Sequence, residues 1–583
     1  MNIAEFLLNI FKNIGITDGF SLVGGMSMNI NAAAHDSEIR ITYCNHEQAA
    51  VSAAEGYAKA DLYSRPALAI VTSGPGVTNT ITSVASAFYD SVPLILLSGQ
   101  VKSADVNAHG VRSFGAQEAP HVALLSSVAK LSFRYDPQEV NDRRLAEYVA
   151  LSMIGRKGPV HIEVPLDIQS RDCKTKADVD LIVSLYHEIV QRQQPSEGVT
   201  TAELMQRFYD AKRPLLVLGN GLRVASIPFV RVRALAERLG VPCLLTWASM
   251  DILDHDHPLA FGCAGGLAGT HSNRILQTAD VILFLGVRLD LLTTGFSPQT
   301  YGKNAQRFVV DVDDAEIEKN AQLPSFSAVR ADLRDFIPAF ESCAVSCAAQ
   351  ETDWLHHCRA WRSENDQREA AEFSAPKLNC FHIARVISSS PNTHYVVPTA
   401  SGFAIEGFAR FYKTTRGSRF EWAGHVLGSM GLAIGSAIGA ARRLKRLVAC
   451  VDGDGGFLLN MQELYTIKAN PDLAIAIIIL NNKGYASIQN SQKRAFGLEF
   501  GASSASGLAE IEFDQIARLG QLKYVRCETL ERFKQTIEGL QPDSRILVDV
   551  LLDDDGYRGP SISTKFDEHG RPYSTPLEDV AWR

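Results

Sequence analysis

Two stretches decide the fold class: LVACVDGDGG (residues 447–456) and LAIAIIILNNKG (473–484). Each opens as an unbroken aliphatic run and closes on small polar residues, the pattern of a strand buried on both faces of a parallel sheet. Asp454 and Asn482 are 28 residues apart (482 − 454). That is the span of one strand–helix–strand unit, so both segments reach the carboxyl edge of one sheet. Mg²⁺ takes hard oxygen ligands and is commonly shared with phosphate. Asp454 offers a carboxylate, Asn482 an amide oxygen and Gly484 a backbone carbonyl. Gly453, Gly455 and Gly456 let the backbone approach a diphosphate, at which the following helix points its N-terminus. Either segment alone reads as an ordinary turn. Together, each behind a buried strand, they read as a metal–diphosphate anchor.

The same grammar recurs outward from this pair, in ALAIVTSGPG (67–76), PLILLSGQ (93–100), PVHIEVP (159–165), PLLVLGNG (214–221), VILFLGVR (281–288) and RFVVDVD (307–313). Such runs alternating with helical segments predict an α/β protein of doubly wound parallel sheets. A chain of 583 residues exceeds one core. Polar interruptions at 191–201 and 348–379 divide it into three domains, 1–180, 195–345 and 370–553. The polar, Gly/Pro-rich remainder, 554–583, cannot be a domain of its own. It reads as a loose end or as a C-terminal arm folding over the active site.

The composition is 46% hydrophobic and 21% charged with a net charge of −8, which disfavours nucleic acid and anionic membrane as partners. The N-terminus, MNIAEFLLNIFKNIGI, is apolar at helical spacing without a basic leader, an amphipathic surface helix. No unbroken apolar run approaches the ~18 residues of a membrane span. The ten cysteines are scattered. Cys343 and Cys347, one helical turn apart, read as helix residues rather than metal ligands. Thiols without a framework suit a reducing compartment, and a cytoplasmic location is expected.

GDG followed by NN and then by Gly484, Tyr485 and Ile488 in the pattern GYxxI resembles the signature of thiamine-diphosphate enzymes. GGMSM (24–28), NHEQAAVSAAEGYAKA (45–60), TSGPGVTN (72–79), GAQE (115–118), GRKGPVHIEVPLD (155–167), GVRLDLLTTG (286–295) and LGSMGLAIGSAIGA (427–440) resemble the acetohydroxyacid synthase-like branch. They occur in order along nearly the whole chain. The resemblance implies a pyrimidine-binding domain, a central flavin/nucleotide-type domain and a diphosphate-binding domain. It implies that Glu47 protonates N1′ of the cofactor's aminopyrimidine so that C2 is activated to attack a 2-oxo acid. Alone, Glu47 would read as a first-turn acid meeting the helix macrodipole, and Met430 as core filler. By resemblance Met430 wedges the cofactor into its bent form, the Gly428 carbonyl accepts from its 4′-amino group, and Gln117 and Gly25 line the reacting centre. Family members place the glutamate and the metal-binding aspartate on neighbouring subunits, which implies a homodimer or homotetramer with the active site at the interface. The middle of the chain resembles the flavin domain of acetohydroxyacid synthases at Arg156, Gly219, Gly221, Arg288, Asp313 and Asp332. FAD is therefore expected, carried without a redox role.

The acceptor is where the pattern departs. Simple decarboxylases carry an adjacent His-His pair, but NAHGVRSFGAQE (107–118) holds only His109, which favours carboligation. Acetohydroxyacid synthases hold the acceptor carboxylate with an Arg four positions after the match to Arg288, and place a Trp five positions after the match to Gly484. Here those positions are Leu292 and Gln489, and Leu292 cannot supply a bidentate carboxylate partner. CNHEQAA, RSFGAQE, NNKGYASIQNSQ and TPLEDV are closer to the YerE-type carboligases of deoxysugar pathways, which add a two-carbon unit from pyruvate to a keto-sugar. A neutral ketone acceptor is thus expected, with His121, His425 and Gln489 as candidate polar contacts. The alternative is acetolactate synthase, with pyruvate as donor and acceptor. A non-catalytic role is disfavoured because Glu47, Asp454 and Asn482 are all present.

Overall fold

Three separate sheets carry the chain in the computed structural model, which describes residues 1–172, 174–192, 197–343, 352–553, 559–580 and 582. The first holds β1 (Asp18–Ser21), β2 (Arg40–Tyr43), β3 (Ala67–Val71), β4 (Leu94–Gln100), β5 (Leu131–Arg134) and β6 (Pro159–Pro165). Its order is β2-β1-β3-β4-β6-β5, all parallel. The second holds β7 (Glu197–Gly198), β8 (Pro214–Leu218), β9 (Cys243–Leu245), β10 (Ala260–Cys263), β11 (Val281–Leu285), β12 (Gln306–Asp311) and β13 (Phe326–Arg330), in the order β10-β9-β8-β11-β12-β13-β7. The third holds β14 (Tyr395–Pro398), β15 (Arg419–Phe420), β16 (Val448–Gly453), β17 (Ile475–Asn481), β18 (Lys523–Cys527) and β19 (Arg545–Leu551), in the order β15-β14-β16-β17-β19-β18. Each apolar run quoted above supplies one of these strands. The second sheet is not wholly parallel: β7 pairs antiparallel with β13. That short, exposed edge lies beyond the reach of a buried-strand pattern.

In each sheet the chain leaves an inner strand to one side and returns on the other. The crevices this opens lie at the carboxyl ends of β1 and β3, of β8 and β11, and of β14 and β16, where α/β proteins bind ligands. The first and third units share one core. Helix Glu47–Ala60 crosses helix Ala433–Leu444 at glycines. A Cβ on Gly56 would stand 2.1 Å from the Ser436 carbonyl oxygen, and one on Gly439 1.8 Å from that of Ala53. Only glycine permits that approach.

The N-terminal helix Ile3–Asn13 opens on a capping box of Asn2 and Glu5 and buries Ile3, Phe6, Leu7, Ile10 and Phe11 against the first unit. Among the described residues no helix is long and apolar enough to cross a membrane. The tail is an arm docked on the second unit. Its hairpin, β20 (Thr564–Phe566) and β21 (Pro572–Ser574), leads to Leu577 in the second unit's core and to Glu578, which accepts from Gln277. Cys343 ends helix Leu333–Cys343. Cys347 and the expected boundaries at 195 and 345 lie outside the described residues.

Candidate active site

Asp454 follows directly on β16 and is buried. Its carboxylate accepts from the Gly455 N–H at 2.7 Å and the Gly484 N–H at 2.8 Å. Burial pushes its carboxyl up to about 6, and the N–H groups of Gly484, Gly455, Lys483 and Asn482 pull it back. The turn at 482–484 therefore closes on Asp454 across the β16–β17 pair, so the three anticipated ligand residues meet. Among the described residues no group of three or more His, Cys, Asp or Glu could hold a metal. A set of one carboxylate, one amide and one carbonyl contains no such group. Two buried oxygens beside this edge lack hydrogen-bond partners: Thr399 Oγ1, one residue past β14, and Asp452 Oδ2, near the end of β16. Space is open around Gly453 and Gly428, and the latter has φ +68°. Open glycines and unsatisfied polar atoms beside a carboxylate fit a Mg²⁺–diphosphate. The Tyr485 ring packs on Gly455, Met430 lies beside Gly456, and Ile488 is half-exposed.

The first sheet's edge holds Glu47. It opens helix Glu47–Ala60 behind the N-cap His46, is only 8% exposed, and accepts from the Asn79 side chain at 3.0 Å. Three neighbours were not anticipated from the sequence: Asn79, Asn460 and Glu463. Asn460 of the third unit donates to Gln48 Oε1 and to the Gly431 carbonyl, each at 2.8 Å. One side chain thus ties the residue after Glu47 to the residue after Met430. Glu463 accepts from the Asn45 N–H at 3.0 Å and from the Thr466 hydroxyl at 2.6 Å, and burial pushes its carboxyl up to about 7. Asn460 and Glu463 are two of three polar residues within FLLNMQEL (457–464), and Asn79 closes the TSGPGVTN segment.

Gly25 lies in the crevice after β1, with open space around it; the next N–H, that of Met26, donates to Thr72. Gln117 is exposed at φ +63°, packed over Gly74. Two of the proposed acceptor contacts serve the scaffold instead. His121 is fully buried; its Nε2 accepts from the Gly74 N–H at 2.9 Å and its Nδ1 faces Glu163 at 2.9 Å. Gln489 spends its amide on the Ala502 carbonyl at 3.0 Å. His425 faces a different cavity, at the β8–β11 crevice where the three units meet.

The chain matches the N-terminal cofactor-binding domain of the thiamine pyrophosphate enzymes over residues 1–121, their central domain over 201–340 and their C-terminal cofactor-binding domain over 402–550. It belongs to the thiamine pyrophosphate enzyme family. It is 30% identical to acetolactate synthase isozyme 1 large subunit of Escherichia coli K12, across 88% of this chain and 87% of that one. Identity to the isozyme 2 large subunit of the same organism is 29%, across 85% and 86%. Identity to acetolactate synthase 1, chloroplastic, of Nicotiana tabacum is 30%, across 85% and 72%.

This thiamine-diphosphate enzyme also carries a cleft at the β8–β11 crevice, walled by residues of all three units. Arg156, Gly221, Arg288 and Asp332 line it. Gly219 and Asp313 act from behind. A Cβ on Gly219 would stand 2.0 Å from the Gly286 oxygen, and Asp313 holds Arg156 at 2.8 Å. Arg223, also on the wall, keeps its Nε buried without a partner. Glycine turns and a carboxylate at the strand ends, with Arg156 and Arg288 beside them, fit the ADP portion of FAD. At its far end lies His425, whose ring packs on Trp422 and whose charge is suppressed by burial. Lys59 donates to Glu55 (2.6 Å), Asp90 (2.8 Å) and the Trp422 carbonyl (2.7 Å). Asp90 in turn accepts from the N–H groups of His425 and Val426, both at 3.0 Å. This buried cluster anchors the loop that leads to Gly428 and Met430.

Proposed function

We propose that this enzyme is a carboligase, a lyase/transferase that removes CO₂ from a 2-oxo acid such as pyruvate and adds the remaining two-carbon unit to an acceptor ketone. A nucleotide-linked deoxy-keto-sugar is the acceptor we favour. When bound, thiamine diphosphate supplies the electron sink for decarboxylation. Asp454, Asn482 and Gly484 would hold its Mg²⁺, and Gly453, Gly455 and Gly456 admit the diphosphate. Gly428, Met430, Tyr485 and Ile488 orient it. Glu47 would hand a proton to N1′ of the pyrimidine, with Asn79 fixing the carboxylate, while Gly25 and Gln117 border the reacting carbon. FAD would sit in the cleft at the β8–β11 crevice on Arg156, Gly221, Arg288 and Asp332. We assign residues 1–180 to the pyrimidine side, 195–345 to the flavin side, 370–553 to the diphosphate side and 554–583 to the arm. A homodimer or homotetramer would complete each site.

The observation that carries the acceptor class is Leu292. It is 48% exposed on the loop after β11, four positions after Arg288, and offers no guanidinium to an acceptor carboxylate. Its neighbour Arg288 is turned to Asp290 at 3.6 Å and to the Tyr89 carbonyl at 3.2 Å. An acceptor without a carboxylate suits that absence. The second reading, acetolactate synthase, is favoured by relatives of that name at about 30% identity. Pyruvate supplied alone and then with cyclic ketones separates the two. Product from pyruvate plus ketone, with little acetolactate, is expected. Abundant acetolactate and no ketone product would overturn the ketone acceptor in favour of the second reading.

A further inference from the structure

A second cavity lies where the second unit, helix Asp353–Glu372 and the third unit meet. Trp247 lines both this cavity and the flavin-type cleft. The walls join apolar surface, Trp247 and Phe411, to the cations Arg385 and Lys413 and to two histidines, His255 and His271. Arg362 and Arg410 add positive charge beside them, donating to the carbonyls of Ala260 and of Leu267, Ala268 and Pro560.

The acids nearby are Asp366, Glu369 and Asp256. Lys413 Nζ stands 3.9 Å from Asp366, and Arg385 Nη2 stands 3.6 Å from Glu369. Neither separation is a hydrogen bond. Each cation thus keeps an acid at ion-pair distance without a hydrogen bond, and Lys413 and Arg385 still repel one another. Burial and then the Arg385 charge lower the Lys413 ammonium. Burial and then Arg362 push His271 down to about 3. Burial, then Lys413, Arg385 and Arg362, lower His255 further still. Both imidazoles are therefore neutral at physiological pH and can hydrogen-bond a ligand without adding charge. A partly buried group of cations with loosely placed counter-charges is stabilised when an anion fills the gap.

We propose that this cavity binds a small organic anion, with its phosphate or carboxylate between Lys413 and Arg385 and its apolar body against Trp247 and Phe411. The Trp247 carbonyl accepts from Trp422 Nε1 at 2.9 Å, and the Trp422 ring lies 5.1 Å from that of His425. The site thus abuts the segment leading to Gly428. It is independent of which acceptor the enzyme uses.

The test takes the holoenzyme, saturated with thiamine diphosphate and Mg²⁺ so that the diphosphate site is filled. Inorganic phosphate, phenyl phosphate and benzoate are each titrated by calorimetry and tryptophan fluorescence against chloride at matched ionic strength. Saturable binding is expected, tighter for phenyl phosphate than for inorganic phosphate. The better of phenyl phosphate and benzoate assigns the anionic group. Lys413→Gln and Arg385→Gln should each weaken binding about tenfold or more, Lys413→Arg should restore it, and basal turnover should be unchanged. No saturable binding beyond the chloride control, or equal binding in all variants, would overturn the site. Equal affinity for phosphate and phenyl phosphate would overturn the apolar half.

Discussion

Glu463→Gln removes a buried carboxyl that bonds across the seam between the third unit and the start of the Glu47 helix. Glu463 is fully buried, and its folded-state value of about 7 stands above the ordinary 4.5 because burial disfavours the charged form. The folded chain therefore binds this proton more tightly than the unfolded chain does. The stability that follows is fully present below about pH 4.5 and is lost as pH rises through about 7. The shift of about 2.5 units, at about 1.4 kcal/mol each, amounts to about 3 kcal/mol. Glutamine cannot ionise, so the variant lacks this dependence. It instead carries a pH-independent cost of about 1 kcal/mol for one mismatched acceptor, toward Asn45 or Thr466. Urea denaturation of both proteins at about pH 5 and about pH 8, followed by far-UV circular dichroism, compares them. The variant should be slightly the weaker at the lower pH and the stronger by about 2 kcal/mol at the higher. A stability difference that does not change with pH would refute the reasoning, because the Glu463 charge would then cost nothing on folding.

Other perturbations separate the parts of the site. Glu47→Gln keeps the shape and the Asn79 contact but cannot exchange the proton. Turnover should vanish while calorimetry still detects thiamine diphosphate binding, and surviving turnover would remove Glu47 from the proposed chemistry. Asp454→Ala should weaken Mg²⁺-dependent cofactor binding by about 100-fold, read by titrating the apoenzyme with cofactor at fixed Mg²⁺; an unchanged affinity would place the metal elsewhere. Lys59→Met leaves Glu55 and Asp90 buried without their shared cation, and thermal and urea unfolding should report a loss of about 3–5 kcal/mol. A loss under about 1 kcal/mol would mean that the two carboxyls find other partners or simply protonate.

The three sheets were legible because a strand buried on both faces must be apolar at every position, and that signal is local. The Asp454–Asn482 spacing was legible for the same reason: one strand–helix–strand unit has a nearly fixed length, so its two ends share an edge. Gln489 and His121 read equally well as ligand contacts or as scaffold. Only the fold spends one on the Ala502 carbonyl and the other on the Gly74 N–H. Gly219 and Asp313 matched a flavin pattern residue by residue, yet packing sets them behind the cleft wall rather than on it.

By itself, then, the sequence determined the α/β class, the parallel strands and the turn residues at their carboxyl ends. Local burial and backbone geometry suffice for those. The tertiary structure decided which turns face one another. Asn45 meets Glu463 across 418 positions, and Gln48 meets Asn460 across 412. Arg385 and Lys413 converge on a cavity shared by two units and a connecting helix. Contacts at such separations depend on how whole units bury their faces against each other, which no local window of residues records.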